Sequence, residues 1–190
     1  MLNFSDKGGL VVEKTQLRKL GLANLKWLQE HPELKVQKEQ EISQTLFHDP
    51  CWENAETIAI TKSLDFEFDT HILLSRGWQE GKQLLMPITG KNRVLTFHRI
   101  TPETIFERTA FGVEEPKDAS EVSVETIDLV VVPGIVFTHE GFRIGFGGGF
   151  YDRFLKQYQG ETCSLVFSEQ IQENWQVEPF DLPVKRLFIS

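Results

Sequence analysis

The sequence predicts a single α/β domain over residues 1–190, with a mostly parallel sheet covered by helices on both faces. Three observations lead there. Apolar runs of strand length alternate with segments of helical apolar periodicity. One run, Asp128 to Val132, is apolar on both faces after its first residue, as a central parallel strand requires. And 190 residues with 40% hydrophobic and 25% charged side chains are enough for one ordinary core.

The elements follow in order. Glu13 to Gln29 reads as a helix, with Leu17, Leu20, Leu25 and Leu28 near one face and Lys14 and Arg18 sharing another. His31-Pro32 breaks it, and Pro32 opens a second helix to about Phe47 with Leu34, Ile42 and Leu46 inward. Glu56 to Thr61 is a buried strand. Asp69 or Thr70 caps a helix carrying Ile72, Leu73, Leu74 and Trp78, which ends at Gly81. Gln83 to Met86 is a short strand stopped by Pro87, and Arg93 to Arg99 alternates as another. Residues 101–126 are polar and irregular, and are expected to form a long surface loop. Phe150 to Gln157 is a helix; Ser164 to Phe167 and Val184 to Ile189 are the last strands.

Composition excludes several functions. Lys plus Arg number 20 and Asp plus Glu 28, a net charge of −8, so a dedicated nucleic-acid coat is not expected. One small basic pocket for a phosphorylated ligand remains compatible with that charge. Two cysteines, Cys51 and Cys163, make neither a disulfide framework nor a four-cysteine zinc site. No stretch approaches the ~20 apolar residues of a membrane span, and Met1 to Leu10 has no signal-peptide core. A cytoplasmic location is expected, without membrane or nucleic-acid partners. Nothing demands an oligomer, so a monomer is expected.

The chemistry concentrates in residues 128–153. A buried strand is followed by Pro133-Gly134, a short loop, and Arg143-Ile-Gly-Phe-Gly-Gly-Gly-Phe-Tyr-Asp-Arg153. Four glycines within five residues let consecutive amides turn toward one anion. Arg143 and Arg153 flank the run and can neutralise phosphate. Asp152 can hold Mg2+ against phosphate oxygens. No Gly-Lys-Ser/Thr follows, so this is not a Walker loop, and the third glycine of GxGxxG is replaced by Phe150.

These residues resemble the 5-formyltetrahydrofolate cyclo-ligase family, also called 5,10-methenyltetrahydrofolate synthetases. The family pattern is a strand, Pro-Gly, Phe, then Gly-x-Arg-Leu/Ile-Gly-x-Gly-x-Gly-Tyr-Tyr-Asp. It is matched here at Asp128, Pro133, Gly134, Phe137, Gly141, Arg143, Ile144, Gly145, Gly147, Gly149, Tyr151 and Asp152. Similarity extends to Lys14-x-x-Leu17-Arg18, Ser63 to Glu67, Phe111 to Pro116, Phe167 to Gln170, and Asp181. The resemblance implies a Rossmann-like three-layer fold and the ATP- and Mg2+-dependent closure of 5-formyltetrahydrofolate to its 5,10-methenyl form, with ADP and phosphate released.

The resemblance also implies roles. Lys14, Arg18 and the run Arg143, Ile144, Gly145, Phe146, Gly147, Gly148, Gly149, Phe150 and Tyr151 would bind ATP. Arg143, Tyr151 and Arg153 would be catalytic. Lys62, Glu67, Phe111 and Phe150 would meet the folate, and Asp152 and Asp181 would hold Mg2+. Some positions depart from the pattern. Phe150 replaces a Tyr and loses its hydroxyl. Thr138 stands where an Asp is usual, Ile88 and Gly148 where basic residues occur, and Lys185 where an acid is common. Two other readings stay open on the sequence: a non-catalytic folate or nucleotide binder, and a sugar-phosphate isomerase on a related α/β fold.

Overall fold

The computed structural model describes residues 3–4, 10–109 and 112–190. A short antiparallel pair, β1 (Asn3–Phe4) with β2 (Leu10–Val11), precedes three helices. These are α1 (Lys14–Gln29), α2 (Pro32–Phe47) and α3 (Pro50–Glu53). Then come β3 (Thr57–Ala59), α4 (His71–Gln79), β4 (Gln83–Thr89) and β5 (Leu95–Ile100). An outlying hairpin pairs β6 (Phe106–Arg108) with β7 (Glu114–Pro116), and β8 (Glu121–Val122) returns to the sheet. β9 (Leu129–Val131) leads to a second small hairpin, β10 (Val136–Phe137) with β11 (Arg143–Ile144). The chain finishes with α5 (Phe150–Leu155), β12 (Glu161–Val166) and β13 (Arg186–Ile189).

The central sheet has seven strands in the order β13-β12-β9-β3-β4-β5-β8. The run from β13 to β4 is parallel, and β5 and β8 add an antiparallel edge. Side-chain alternation divides two cores. Ile58, Leu84, Leu129, Val131 and Cys163 face α1–α4, where Leu25, Leu28, Leu46, Trp52 and Leu73 meet them. Ala59, Leu85 and Val130 face the other way, toward Tyr158, Phe154 and Leu155 of the α5 segment. This is the expected mostly parallel α/β sheet with helices on both faces.

Four local expectations need correction. Pro87 does not stop β4; the strand runs on to Thr89, with Pro87 opposite Phe97. Proline is tolerated because β3 pairs only with Gln83–Leu85, so past Leu85 no described strand pairs on that side for an N–H to reach. Residues 101–126 are not one loop. They build the β6–β7 hairpin and the edge strand β8, through polar residues whose short two-strand pairing leaves no long apolar signature. The strand read as starting at Arg93 begins at Leu95, because Lys91–Arg93 form a tight turn. In α1 the buried stripe is Leu17, Gly21, Leu25 and Leu28, and Leu20 is 44% exposed. The helix approaches β10 at Gly21, and Leu20 lies about 100° around the axis from it.

Two ties fix the ends of the central strands. Asp128 Oδ2 accepts the backbone N–H groups of Glu56 (2.9 Å) and Thr57 (2.8 Å), joining β9 to the start of β3. At the opposite end, the buried Gln170 side chain is fully engaged. Its Nε2 donates to the Gly134 carbonyl at 3.0 Å and its Oε1 accepts from Phe167 N at 2.9 Å. That pins the turn after β9 where the site begins.

Candidate active site

Strand order reverses between β3 and β9. From β3 the chain crosses to β4 on one side and later enters β9 on the other. In open α/β sheets, ligands bind at the carboxyl ends of the strands at such a switch point, because the connections diverge and leave a crevice. The crevice is present: a cavity of about 40 Å³ lined by Thr61, Ser63, Glu67 and Thr70 after β3, Val132 to Gly134 after β9, and Gln170.

The 61–70 segment is built as a tight loop. Ser63 N donates to Thr70 Oγ1 at 3.0 Å, and Thr70 N donates to Ser63 Oγ at 3.2 Å. Glu39 on α2, almost fully buried, accepts Asp69 N at 2.8 Å and pairs with Lys35 at 2.6 Å. The loop so held carries Glu67, whose Oε2 accepts Leu64 N at 2.8 Å. Burial pushes the Glu67 carboxyl above the usual carboxylate range, against the pull of that amide.

The glycine run lies beside this loop. The Phe66 and Phe146 rings are 6.4 Å apart, joining the two segments. Gly147 (φ +94) and Gly149 (φ +67) adopt backbone that side chains resist, so the loop needs glycine there. Gly149 is the residue that starts α5.

Charged groups from distant parts of the chain lie on and around the run. Arg18 Nε donates to the Gly145 carbonyl at 2.8 Å, across 127 residues of sequence. Arg143 is buried; its Nη2 pairs with Asp152 Oδ1 at 3.0 Å and its Nη1 donates to Leu182 O at 2.8 Å. Burial lowers the Arg143 pKa from its ordinary value, and Asp152 opposes the shift. Lys14 Nζ pairs with Asp181 Oδ2 at 2.6 Å and Glu178 Oε2 at 2.9 Å. Burial disfavours its charge, yet the hydrogen bonds to Asp181 and Glu178 outweigh that and raise its pKa. The Tyr151 ring centroid lies 6.0 Å from the Arg143 guanidinium carbon. Desolvation raises its hydroxyl pKa above the ordinary value, Arg143 pulling down and Glu67 pushing up.

The residues picked out in the sequence are therefore mostly brought together, with some differences in detail. Ile144 is a core residue and lends the loop only its backbone. Phe150 is half-buried, packed against the second core, and its ring lies over Gly148, where an added Cβ would stand 2.7 Å from it. Lys62 is held by Glu114 of β7, with its Nζ 4.5 Å from the Phe106 ring centroid. Arg153 Nη1 donates to Asn92 O at 3.0 Å, outside the glycine run. Phe111 lies outside the described residues. Thr138 holds its turn as a hydroxyl can, accepting Phe142 N at 3.3 Å. Glu178 and the Ser63–Thr70 lock carried no signal in the sequence: Glu178 lies 164 residues from Lys14 and sits in an unremarkable polar stretch.

Among the described residues no three of His, Cys, Asp and Glu come close enough to cage a metal. Two carboxylates are nonetheless a fitting donor set for Mg2+, which is usually held by one or two carboxylates plus substrate phosphates. Asp152 has its Oδ2 unengaged and is part-exposed. Asp181 already spends Oδ2 on Lys14 and on Glu178 N (2.7 Å). No described helix is long and apolar enough to cross a membrane.

Known proteins match the chain over nearly its whole length. A family model for 5-formyltetrahydrofolate cyclo-ligases matches residues 11–189. The 5-formyltetrahydrofolate cyclo-ligase of Haemophilus influenzae is 32% identical over 184 residues, covering 93% of this chain and 95% of that protein. The Escherichia coli protein of the same name is 29% identical over 163 residues, covering 80% and 88%. The solved 5,10-methenyltetrahydrofolate synthetase of Aquifex aeolicus superposes with a TM-score of 0.77 at 28% identity, over 93% of this chain and 89% of that one. With a family model and a relative that both span nearly its whole length, the chain belongs to the 5-formyltetrahydrofolate cyclo-ligase family of enzymes.

Proposed function

We propose that this enzyme closes 5-formyltetrahydrofolate to 5,10-methenyltetrahydrofolate, using ATP with Mg2+ and releasing ADP and phosphate. The observation that carries the reading is a single convergence. Arg18 and Arg143 with Asp152 meet on one glycine loop, Lys14 with Asp181 stands one helical turn before Arg18 on α1, and the loop adjoins a crevice holding the Glu67 carboxyl. Phosphate chemistry and recognition of a polar ring are thereby adjacent.

The chemistry needs both. The formyl group on N5 is an amide, so its carbon is a poor electrophile and its oxygen a poor leaving group. The formyl oxygen attacks the γ-phosphorus of ATP, the bond from that phosphorus to ADP breaks, and the oxygen becomes part of a phosphate leaving group. N10 of the folate then attacks the activated carbon, phosphate departs, and the N10 proton is lost with it. Positioning and charge stabilisation supply the acceleration in such transfers.

In this reading the amides of Gly145 to Gly149 face the phosphates. Lys14, Arg18 and Arg143 balance their charge, with Lys14 and Arg143 held in place by carboxylates. Asp152 is the carboxylate with a free oxygen for Mg2+, and Asp181 joins it only through its second oxygen. Bound there, Mg2+ would neutralise developing phosphate charge. Arg153 contributes at longer range, from the rim. Tyr151 stays a neutral phenol beside Arg143, and Glu67 offers its carboxyl to the pterin. Lys62 reaches the folate on leaving Glu114. Phe150 lays its ring against Gly148 and supports the loop there.

The test is near-ultraviolet absorbance after mixing enzyme, 5-formyltetrahydrofolate and Mg-ATP, because the methenyl product has a chromophore that the substrate lacks. Growth of that band, lost without ATP and in Asp152→Ala, is the expected result. A flat trace with folate still bound would show a binder without turnover.

A further inference from the structure

The turn between β4 and β5 touches the glycine run and has no role in the roles above. It consists of Lys91, Asn92 and Arg93. Asn92 and Arg93 both adopt left-handed backbone, with φ of 60° and 61°, which is uncommon for a non-glycine residue and rarer twice in succession. Gly90 N donates to Val94 O at 2.8 Å across the turn, and the Arg153 guanidinium clamps Asn92 O from outside. The turn is thus held against the loop at a fixed height.

That placement brings a second guanidinium to the glycine run. A Cβ added to Gly149 would stand 3.5 Å from Arg93 Nη1. A Cβ added to Gly147 would stand 3.7 Å from Arg18 Nη2, and Arg18 also bonds to Gly145 O. Arg18 comes from α1 and Arg93 from the β4–β5 turn, so two unrelated elements each set an arginine on one five-residue segment. Among the described residues the Arg93 and Lys91 side chains make no hydrogen bond or ion pair, and Arg18 bonds only to a carbonyl. In a chain where acids outnumber bases by 28 − 20 = 8, cations left unpaired on one loop are unusual. The planar fork of arginine suits phosphate oxygens. Two such forks, set at Gly147 and Gly149, can grip successive phosphates of one polyphosphate chain.

We infer that Arg93 is a further nucleotide-binding residue, which grips the polyphosphate together with Arg18 and makes the site prefer a triphosphate over a monophosphate. The inference rests on the ATP reading above and adds a residue and a selectivity to it. Arg93 reaches the glycine run because the left-handed turn lifts it out of the β5 register, where side chains stand on the two faces of the sheet.

The experiment measures Kd for ATP and for AMP with wild type, Arg93→Gly and Arg93→Lys at several salt concentrations, with thermal midpoints alongside. Glycine adopts a φ of 61° freely, so Arg93→Gly removes the guanidinium without straining the turn. Arg93→Asn, also at ease in left-handed backbone, serves if the glycine variant folds poorly. Arg93→Gly is expected to keep or raise the thermal midpoint, to weaken ATP binding about tenfold and AMP binding less than twofold, and to flatten the salt dependence of ATP affinity. Arg93→Lys should recover part of the loss. ATP affinity within twofold of wild type in Arg93→Gly, or equal losses for ATP and AMP, would overturn the assignment. A wild-type enzyme that binds no ATP overturns the nucleotide reading itself and Arg93 with it.

Discussion

Lys14 keeps its charge in a half-enclosed position only because two acids meet it there, and Asp181, the more buried of them, sets its place. Asp181→Asn removes that anion while preserving shape. The expected effect is a KM for ATP raised roughly tenfold, since a hydrogen bond to a charged group contributes about 1.5–3 kcal/mol; steady-state kinetics across ATP concentrations check it, and an unchanged KM would remove Lys14 from the phosphate site. Glu67 presents the opposite case. Its folded pKa is raised by burial, so the folded state holds its proton more tightly than the unfolded chain does. The stability linked to that proton is complete below the unfolded value, near 4.5, and is lost as pH rises through the raised value. Glu67→Gln should therefore melt higher than wild type at neutral pH and show a flatter profile between pH 4 and 8. Thermal midpoints over that range decide, and parallel profiles for the two proteins would refute it. The same variant should bind 5-formyltetrahydrofolate more weakly.

At the scale of elements, the glycine loop and the central strand carry the most risk. Gly149 sits at φ +67 where α5 begins, and Gly149→Ala should cost about 1–2 kcal/mol of stability and lower turnover more than it lowers folate binding. Leu129 in β9 is fully buried, and Leu129→Ala should cost about 2–5 kcal/mol in a urea unfolding curve. The contrast between these elements explains what could be read from the sequence. β9, α1 and α2 were legible because burial on one or two faces imposes a periodic apolar pattern. The β6–β7 hairpin was not, because neither strand buries an unbroken face. Pro87 misled for a related reason: a residue that interrupts pairing reads as an end, and strand position within the sheet is invisible locally. The glycine run was legible as chemistry because few structures need so many glycines. Arg93 was not, since alternation with Leu95 and Phe97 absorbs it into a strand until the turn is seen.

Across the whole molecule, stability is expected to be graded outward from the switch point. β3, β9 and β12 are parallel neighbours with both faces covered, whereas β8 is a two-residue edge and the β6–β7 hairpin lies off the sheet. Hydrogen exchange should accordingly be slowest in β9 and β12 and fastest in β6 to β8, and ligand should slow exchange most in residues 61–70. Uniform protection would contradict that gradient. The pairing of Lys14 with Asp181 spans 167 residues, and it has a consequence for how the protein is made. Synthesis runs from one end, so the helix bearing Lys14 and the glycine loop both emerge before Asp181, the acid that holds Lys14 in place. A chain that stops short of Asp181 can collapse around α1, β3 and β9 but leaves Lys14 without that partner. Under the function proposed above, nucleotide binding therefore waits for residue 181 and does not build up with the earlier elements.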